Sequence, residues 1–291
     1  MDKQKRASLI AVIVAVLIGA LTALAGSQGG ELVAGVPLFA LAVAAAFLIQ
    51  VLVYVPSAAL KTERFFDLTG SLTFIIVSLS ILLLSPSVDA RSVVLAVMVI
   101  VWAIRLGSFL FVRIHKSGSD DRFDELKTSK IRFLRVWVLQ GLWVSLTAAA
   151  AWIAMSSASD PVPVGWIEVI GIGMWVLGLG IEIAADWQKA AFKADSENEG
   201  SFIRSGLWSR SRHPNYFGEI VLWIGVAIVA APALVGWQWV ALISPLFVVL
   251  LLTKVSGVPL LEAKADNRWG GQRGYENYKS RTPVLIPRLR P

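Results

Sequence analysis

Apolar residues in this chain come in long blocks, with no strand-like alternation and no narrow helical stripe. Runs at about 8–25, 36–56, 92–112, 134–156 and 164–185 each have the roughly 17–25 residues that a helix needs to cross a bilayer. Three shorter runs, at about 70–84, 216–232 and 237–253, bring the count to eight. Short spans are tolerated in a polytopic bundle, where neighbours and local thinning absorb the mismatch. The pattern predicts an all-α, polytopic integral membrane bundle of about eight transmembrane helices. Lys3, Lys5 and Arg6 precede the first run, as in a secretory signal. Gly26-Ser27-Gln28-Gly29-Gly30 follows it in place of a small-x-small cleavage site, so it is read as a retained helix.

The positions of the basic residues test this count. With the N-terminus in the cytoplasm and eight crossings, every Lys and Arg except Arg91 and Arg105 falls on the cytoplasmic side, as the positive-inside rule requires. A miscounted span would destroy that segregation. Both termini are therefore expected in the cytoplasm. Tryptophans fit the same frame, with Trp152, Trp166, Trp237 and Trp239 near the outer interface and Trp137, Trp187 and Trp208 near the inner one, as an aromatic belt. Residues 1–291 are read as one transmembrane domain: N-terminal helices over 1–56, then a core over 60–291. Polar segments at 113–133, 186–215 and 254–291 cap its cytoplasmic end.

Composition narrows the function classes. Of 291 residues, 56% are hydrophobic and 16% charged, against about 25% charged in ordinary soluble domains. A disordered chain is excluded, because such chains lack apolar residues. The absence of cysteine excludes disulfide frameworks, thiolate metal sites and cysteine nucleophiles. Two histidines, His115 and His213, are too few for a His-rich metal site, and no metal is expected. The net charge of +7 reads as a topology signal, not as a nucleic-acid footprint.

Ionisable groups in or beside spans are functional candidates by default. Glu182 and Asp186, four residues apart at the end of the sixth span, share a helix face. Downstream, Pro214 suits a helix start, and Asn215 and Glu219 would line one face of the entering helix. Its backbone donors, with Arg210 and Arg212 nearby, make an anion site. Lys193 and Arg204 add positive charge for phosphates. Taken singly, Arg210, Arg212 and His213 also fit a role as interfacial anchors.

The stretch Gly206 to Gly225, with Arg212-His213-Pro214-Asn215-Tyr216 and Gly218-Glu219, resembles the C-terminal signature of the steroid 5-alpha-reductase superfamily, closest to its bacterial 5-alpha-reductase-like membrane proteins. Glu182-x-x-x-Asp186-x-Gln188 with Phe192 and the tail Tyr278-Lys279-Ser280-Arg281 through Ile286-Pro287 extend the likeness. Phe66-Asp67 with Gly70, Arg105 and Asp121-Arg122-Phe123 extend it more weakly. The likeness covers roughly 60–291, and the first helix looks additional.

The resemblance implies a helical reductase in a bacterial cytoplasmic membrane that binds NADPH from the cytoplasmic side. In such enzymes hydride goes to the β carbon of a conjugated enone, here expected in a steroid-like or other lipid substrate. The resemblance also implies that Glu219 is the carboxylate polarising the substrate carbonyl. Asp186, Glu182, Asn215, Tyr216, Arg212, His213, Arg105, Lys193, Arg204, Lys254 and Tyr278 are the cofactor-binding candidates. Two departures stand out. On an ungapped alignment Trp102 occupies the position of a catalytic Tyr, and indole has an N–H donor but no acceptor. Leu222 stands where the family has a second Glu.

Two other classes share features of this pattern. The Arg-His-Pro-x-Tyr core with a terminal Tyr-Lys is common to S-adenosylmethionine-dependent isoprenylcysteine and phospholipid methyltransferases. Those typically carry paired glutamates before the terminal motif, where this chain has Leu261-Glu262-Ala263. A non-catalytic sterol- or lipid-binding protein on the same scaffold is the third reading. Transport fits less well, because the polar residues gather at one membrane face and not at the midplane.

Overall fold

The computed structural model describes residues 2–117 (112–117 by backbone alone), 123–158 and 163–288. Asp121 and Arg122, with part of the 113–133 cap segment, lie outside the described residues. Helices α1 (Lys3–Gly26), α2 (Leu38–Ala59), α3 (Phe66–Leu84), α4 (Ala90–Ser117), α5 (Lys130–Met155), α6 (Trp166–Ala194), α7 (Pro214–Ala230), α8 (Ile243–Leu250), α9 (Val258–Trp269) and α10 (Arg273–Arg281) make up nearly all of it. A two-stranded hairpin, β1 (Leu32–Val33) and β2 (Val36–Pro37), links α1 to α2. Among the described residues, eight helical stretches are long and apolar enough to cross a membrane. The protein is an all-α polytopic membrane protein.

The chain divides into two compact units, Met1–Gly165 with Val229–Ser244, and Trp166–Ile228 with Pro245–Pro291. In the first, α5 is the central helix, packed against α1, α2, α3 and α4. Its residues Val144 to Met155 are all buried, as expected of a helix apolar on every side. The buried run Ala148–Ala151 lets neighbouring backbones approach closely. Several polar groups inside this apolar unit find partners across helices, because orphaned donors in hydrocarbon are costly. Gln50 Nε2 donates to Thr73 Oγ1 at 2.8 Å, Gln140 Nε2 to the Phe66 carbonyl at 3.0 Å, and Trp152 Nε1 to Ser78 Oγ at 2.9 Å.

The aromatic belt is only partly present. Trp166, Trp187, Trp237 and Trp239 are exposed, but Trp137, Trp152 and Trp208 are buried. Trp137 sits among Phe66, Phe123 and Phe133. Proximity to a span end does not separate an anchor from a core residue, because both are apolar at that depth.

Two helical stretches outrun their apolar runs. The sixth span was expected to end near 185, yet α6 continues to Ala194 through Trp187-Gln188-Lys189-Ala190-Ala191, which contains neither Gly nor Pro to stop it. The eighth run was expected over 237–253. It begins as a 3-10 segment over Gly236–Leu242, continues as α8, and loosens into a π-helical turn over Leu251–Val255 before α9. Pro259, in the first turn of α9, suits a helix start.

Candidate functional site

The second unit is organised by a close crossing of α6 and α7. A Cβ at Gly178 would lie 2.5 Å from the Leu222 backbone nitrogen, and one at Gly218 would lie 2.6 Å from the Gly178 carbonyl. Seven residues away on each helix the contact repeats, Gly225 facing the Gly171 carbonyl at 2.6 Å. Small residues at that spacing let antiparallel backbones touch. The crossing carries the two i,i+4 pairs into register. Glu182 is buried with its backbone nitrogen 2.7 Å from the position of a Gly218 Cβ. One turn on, Asn215 Nδ2 donates to Asp186 Oδ1 at 3.2 Å. Glu219 is half-buried, next to Gly218 on α7.

Beyond α6 the chain turns back on that helix. Gly206 takes a positive φ of 59°, which an L side chain rarely adopts. The 3-10 turn Gly206–Ser209 then places Trp208 Nε1 on the Ala185 carbonyl at 3.0 Å. Gln188 Oε1 accepts the Leu207 N–H at 2.9 Å, and the Lys189 ammonium sits 4.5 Å from the Trp208 ring centroid. The C-terminal tail lies along this segment. Tyr278 donates its hydroxyl to the Trp208 carbonyl at 2.7 Å, and the Arg212 N–H reaches the Pro283 carbonyl at 2.9 Å. Burial pushes the Tyr278 phenol well above its ordinary range, which keeps it a neutral donor. Tyr275 is raised the same way, by burial and then by donating to Asp266 Oδ1 at 2.9 Å.

Between the end of α6, the 198–213 segment, α9 and α10 lies a cavity of about 580 Å³, within the size range of small-molecule sites. Its cationic wall is Lys189, Lys193, Arg212, Lys264 and Arg268, against the two carboxylates Glu199 and Glu262. Phe202, Trp269, Tyr275 and Tyr278 form an aromatic wall, with Phe202 at its centre, 5.3–5.6 Å from the other three rings. Arg212 and His213 both meet Glu262, and the His213 ring stacks on Tyr216 at 5.7 Å. Arg212 Nε, His213 Nδ1 and Asn215 Oδ1 are buried with no hydrogen-bond partner among the described residues. Of these residues Arg212 and His213 line the cavity, and because buried polar atoms in folded proteins rarely stay unpaired, that part of the wall has capacity for a ligand.

Residues 53–282 match the family described as protein of unknown function (DUF1295). The chain belongs to that family. The DUF1295 match takes in every candidate site residue and leaves out α1 and most of α2. The chain is also similar to the steroid 5-alpha-reductase of Gossypium hirsutum, 27% identical over 122 residues, or 42% of each chain. Against the 3-oxo-5-alpha-steroid 4-dehydrogenase 1 of Rattus norvegicus it is 28% identical over 117 residues, 40% of each. For that of Macaca fascicularis the identity is 31% over 121 residues, 42% of this chain and 41% of the relative. The alignments thus span about two fifths of the length of these relatives. No solved structure matches the chain. The family membership and the relatives bear out the superfamily likeness read from the Arg212–Glu219 motif.

Of the residues singled out in the sequence, Lys193, Arg212, His213 and Tyr278 line the cavity. Asp186, Asn215, Glu182 and Glu219 lie at the α6–α7 crossing, joined to the cavity wall through the chain from Arg212 to Tyr216. Arg204 and Lys254 are exposed and are not among the lining residues. Trp102 and Arg105 belong to the first unit. Trp102 is fully buried there, edge-on to Phe74 with centroids 5.2 Å apart, and the Arg105 guanidinium lies 5.5 Å over the Phe109 ring. Sequence reasoning missed Lys189, Lys264 and Arg268 and, of the aromatic wall, Phe202, Trp269 and Tyr275. Lys264 and Arg268 share one face of α9, a signal hidden because the residues after 254 read as a tail. Pro259 before a Gly-free stretch marked the helix.

Proposed function

We propose that this DUF1295 member is a membrane-embedded, NADPH-dependent reductase of a C=C bond conjugated to a carbonyl in a steroid-like or other lipid substrate. The observation that carries the reading is the cation-rich, aromatic-walled cavity built from the very segments that hold the reductase-like motif. Five cationic side chains against two carboxylates favour a ligand with several phosphates, and guanidinium and ammonium donors suit a 2′-phosphate as well as a pyrophosphate. The orphaned Arg212 Nε and His213 Nδ1 fit the same ligand. The similarity to proteins named steroid 5-alpha-reductase supports the reaction class.

When bound, the cofactor supplies a hydride for the β carbon of the enone, and the α carbon takes a proton. The chain's part is binding, positioning and charge control. Lys193, Lys264 and Arg268 hold phosphate oxygens. Asn215, oriented by Asp186, presents its unpaired carbonyl oxygen to a donor on the cofactor. Glu219 hydrogen-bonds the substrate carbonyl as negative charge develops on its oxygen, a contact that strengthens in the transition state. Thermal-shift titration of the purified protein is expected to rank NADPH above NADH and both above S-adenosylmethionine. Stabilisation by the methyl donor alone would favour the methyltransferase reading instead.

The membrane setting completes the proposal: a bacterial cytoplasmic membrane, both termini in the cytoplasm, and surrounding lipids and a lipid-like substrate as the partners. In this cysteine-free chain a single cysteine in the C-terminal tail should resist a membrane-impermeant maleimide in intact spheroplasts and react after permeabilisation. Labelling of intact spheroplasts would reverse the orientation.

A further inference from the structure

Glu262 holds two side chains of the cavity wall at once. His213 Nε2 lies 2.8 Å from one of its carboxylate oxygens, and Arg212 Nη1 is bonded to the other. His213 is 4% exposed, and Tyr216 stacks on its ring with the planes 10° apart. Its backbone N–H donates to Ser211 Oγ at 3.2 Å. The ring is therefore fixed in place and in rotation.

A carboxylate oxygen can only accept, so the bond to Glu262 keeps the proton on Nε2. In the neutral ring Nδ1 then carries a lone pair. Arg212 Nε, by contrast, always carries a hydrogen on a permanent cation. Both atoms are buried without a partner among the described residues, and both residues line the cavity. One acceptor and one cationic donor on adjacent residues, both unsatisfied, define the ligand chemistry: a hydroxyl beside an anionic oxygen.

We propose that Glu262 is a positioning residue that sets the His213 tautomer, so that His213 and Arg212 together read a ribose that carries a phosphate. The ribose hydroxyl donates to His213 Nδ1, and a phosphate oxygen accepts from Arg212 Nε. The proposal rests on the dinucleotide reading above. It also supplies a basis for selectivity, because S-adenosylmethionine brings the ribose hydroxyls but no phosphate.

The chain has only two histidines, so ¹⁵N-histidine labelling of the full-length protein in a His115→Gln background leaves the His213 signals alone. At alkaline pH, where imidazole is neutral, the expected spectrum has a protonated Nε2 and an unprotonated Nδ1. Saturation with NADPH should shift Nδ1 in the direction of an accepted hydrogen bond. Glu262→Gln can donate to Nε2 and release the tautomer, so the Nδ1-protonated form should appear and NADPH affinity should fall roughly tenfold or more. Glu262→Asp, which keeps the carboxylate, should restore the wild-type tautomer. A protonated Nδ1 in the wild type, an Nδ1 signal unmoved by saturating NADPH, or wild-type affinity in Glu262→Gln would overturn the proposal and leave the dinucleotide reading standing. A wild-type protein that binds no NADPH would overturn both.

Discussion

Glu219→Gln should leave the fold and NADPH binding in place and lower turnover by about 10²-fold or more, the scale of a lost proton-transfer or oxyanion contact. Glutamine keeps the shape and one hydrogen-bond donor but cannot give up a proton. If Glu219 acts at the substrate carbonyl, the loss falls on kcat with little change in the affinity for NADPH. A purely structural Glu219 would give the opposite pattern, with lower thermal stability and near-normal turnover in the protein that remains folded. Steady-state kinetics beside a melting curve of the same preparation separates the two, and wild-type turnover in a well-folded variant removes Glu219 from the mechanism.

The largest effect on stability is expected at the helix crossing. Gly218→Val introduces a branched side chain where a Cβ alone would lie 2.6 Å from the Gly178 carbonyl and 2.7 Å from the Glu182 nitrogen. Both neighbours are backbone, so no rotamer change relieves the clash, and α6 and α7 must separate. Overpacking in ordinary cores costs about 1–3 kcal/mol, and a backbone-to-backbone contact should exceed that range. The separation would also pull Asn215 from Asp186, so loss of NADPH binding should accompany the loss of stability. Gly173 and Gly180 lie on α6 with nothing within 4 Å of an added Cβ. Alanine at either should be neutral or stabilising, by up to about 1 kcal/mol from helix propensity. Thermal unfolding in one detergent, read by light scattering, would rank the three variants. A Gly218→Val protein as stable as the Gly173→Ala control would refute the close crossing.

Much of the architecture was legible in the sequence because a bilayer imposes length and polarity constraints that a soluble core does not. Spans such as α2 and α5 follow directly from uninterrupted apolar runs. What escaped was helix that continues past the apolar block. The polar last turns of α6 carry Lys189 and Lys193, and α9 carries Lys264 and Arg268. Hydropathy marks where a chain leaves the bilayer, whereas capping and breaker residues mark where a helix ends. The two signals disagree where this site is built. Pairwise spacing performed better: the i,i+4 patterns at Glu182/Asp186 and Asn215/Glu219 lie on two helices in close contact. No spacing rule links residues fifty apart, and so the Glu262 bridge to Arg212 and His213 could not be read from the chain.

The most direct measurement of the reductase proposal is isotope transfer in the purified protein supplied with nicotinamide-deuterated NADPH and a panel of lipid enones. Deuterium recovered at the β carbon of a saturated lipid ketone, with one NADPH consumed per product and a sharp loss in Glu219→Gln, is the expected result. Enone-independent NADPH levels, together with transfer of a labelled methyl group from S-adenosylmethionine to a lipid, would contradict it.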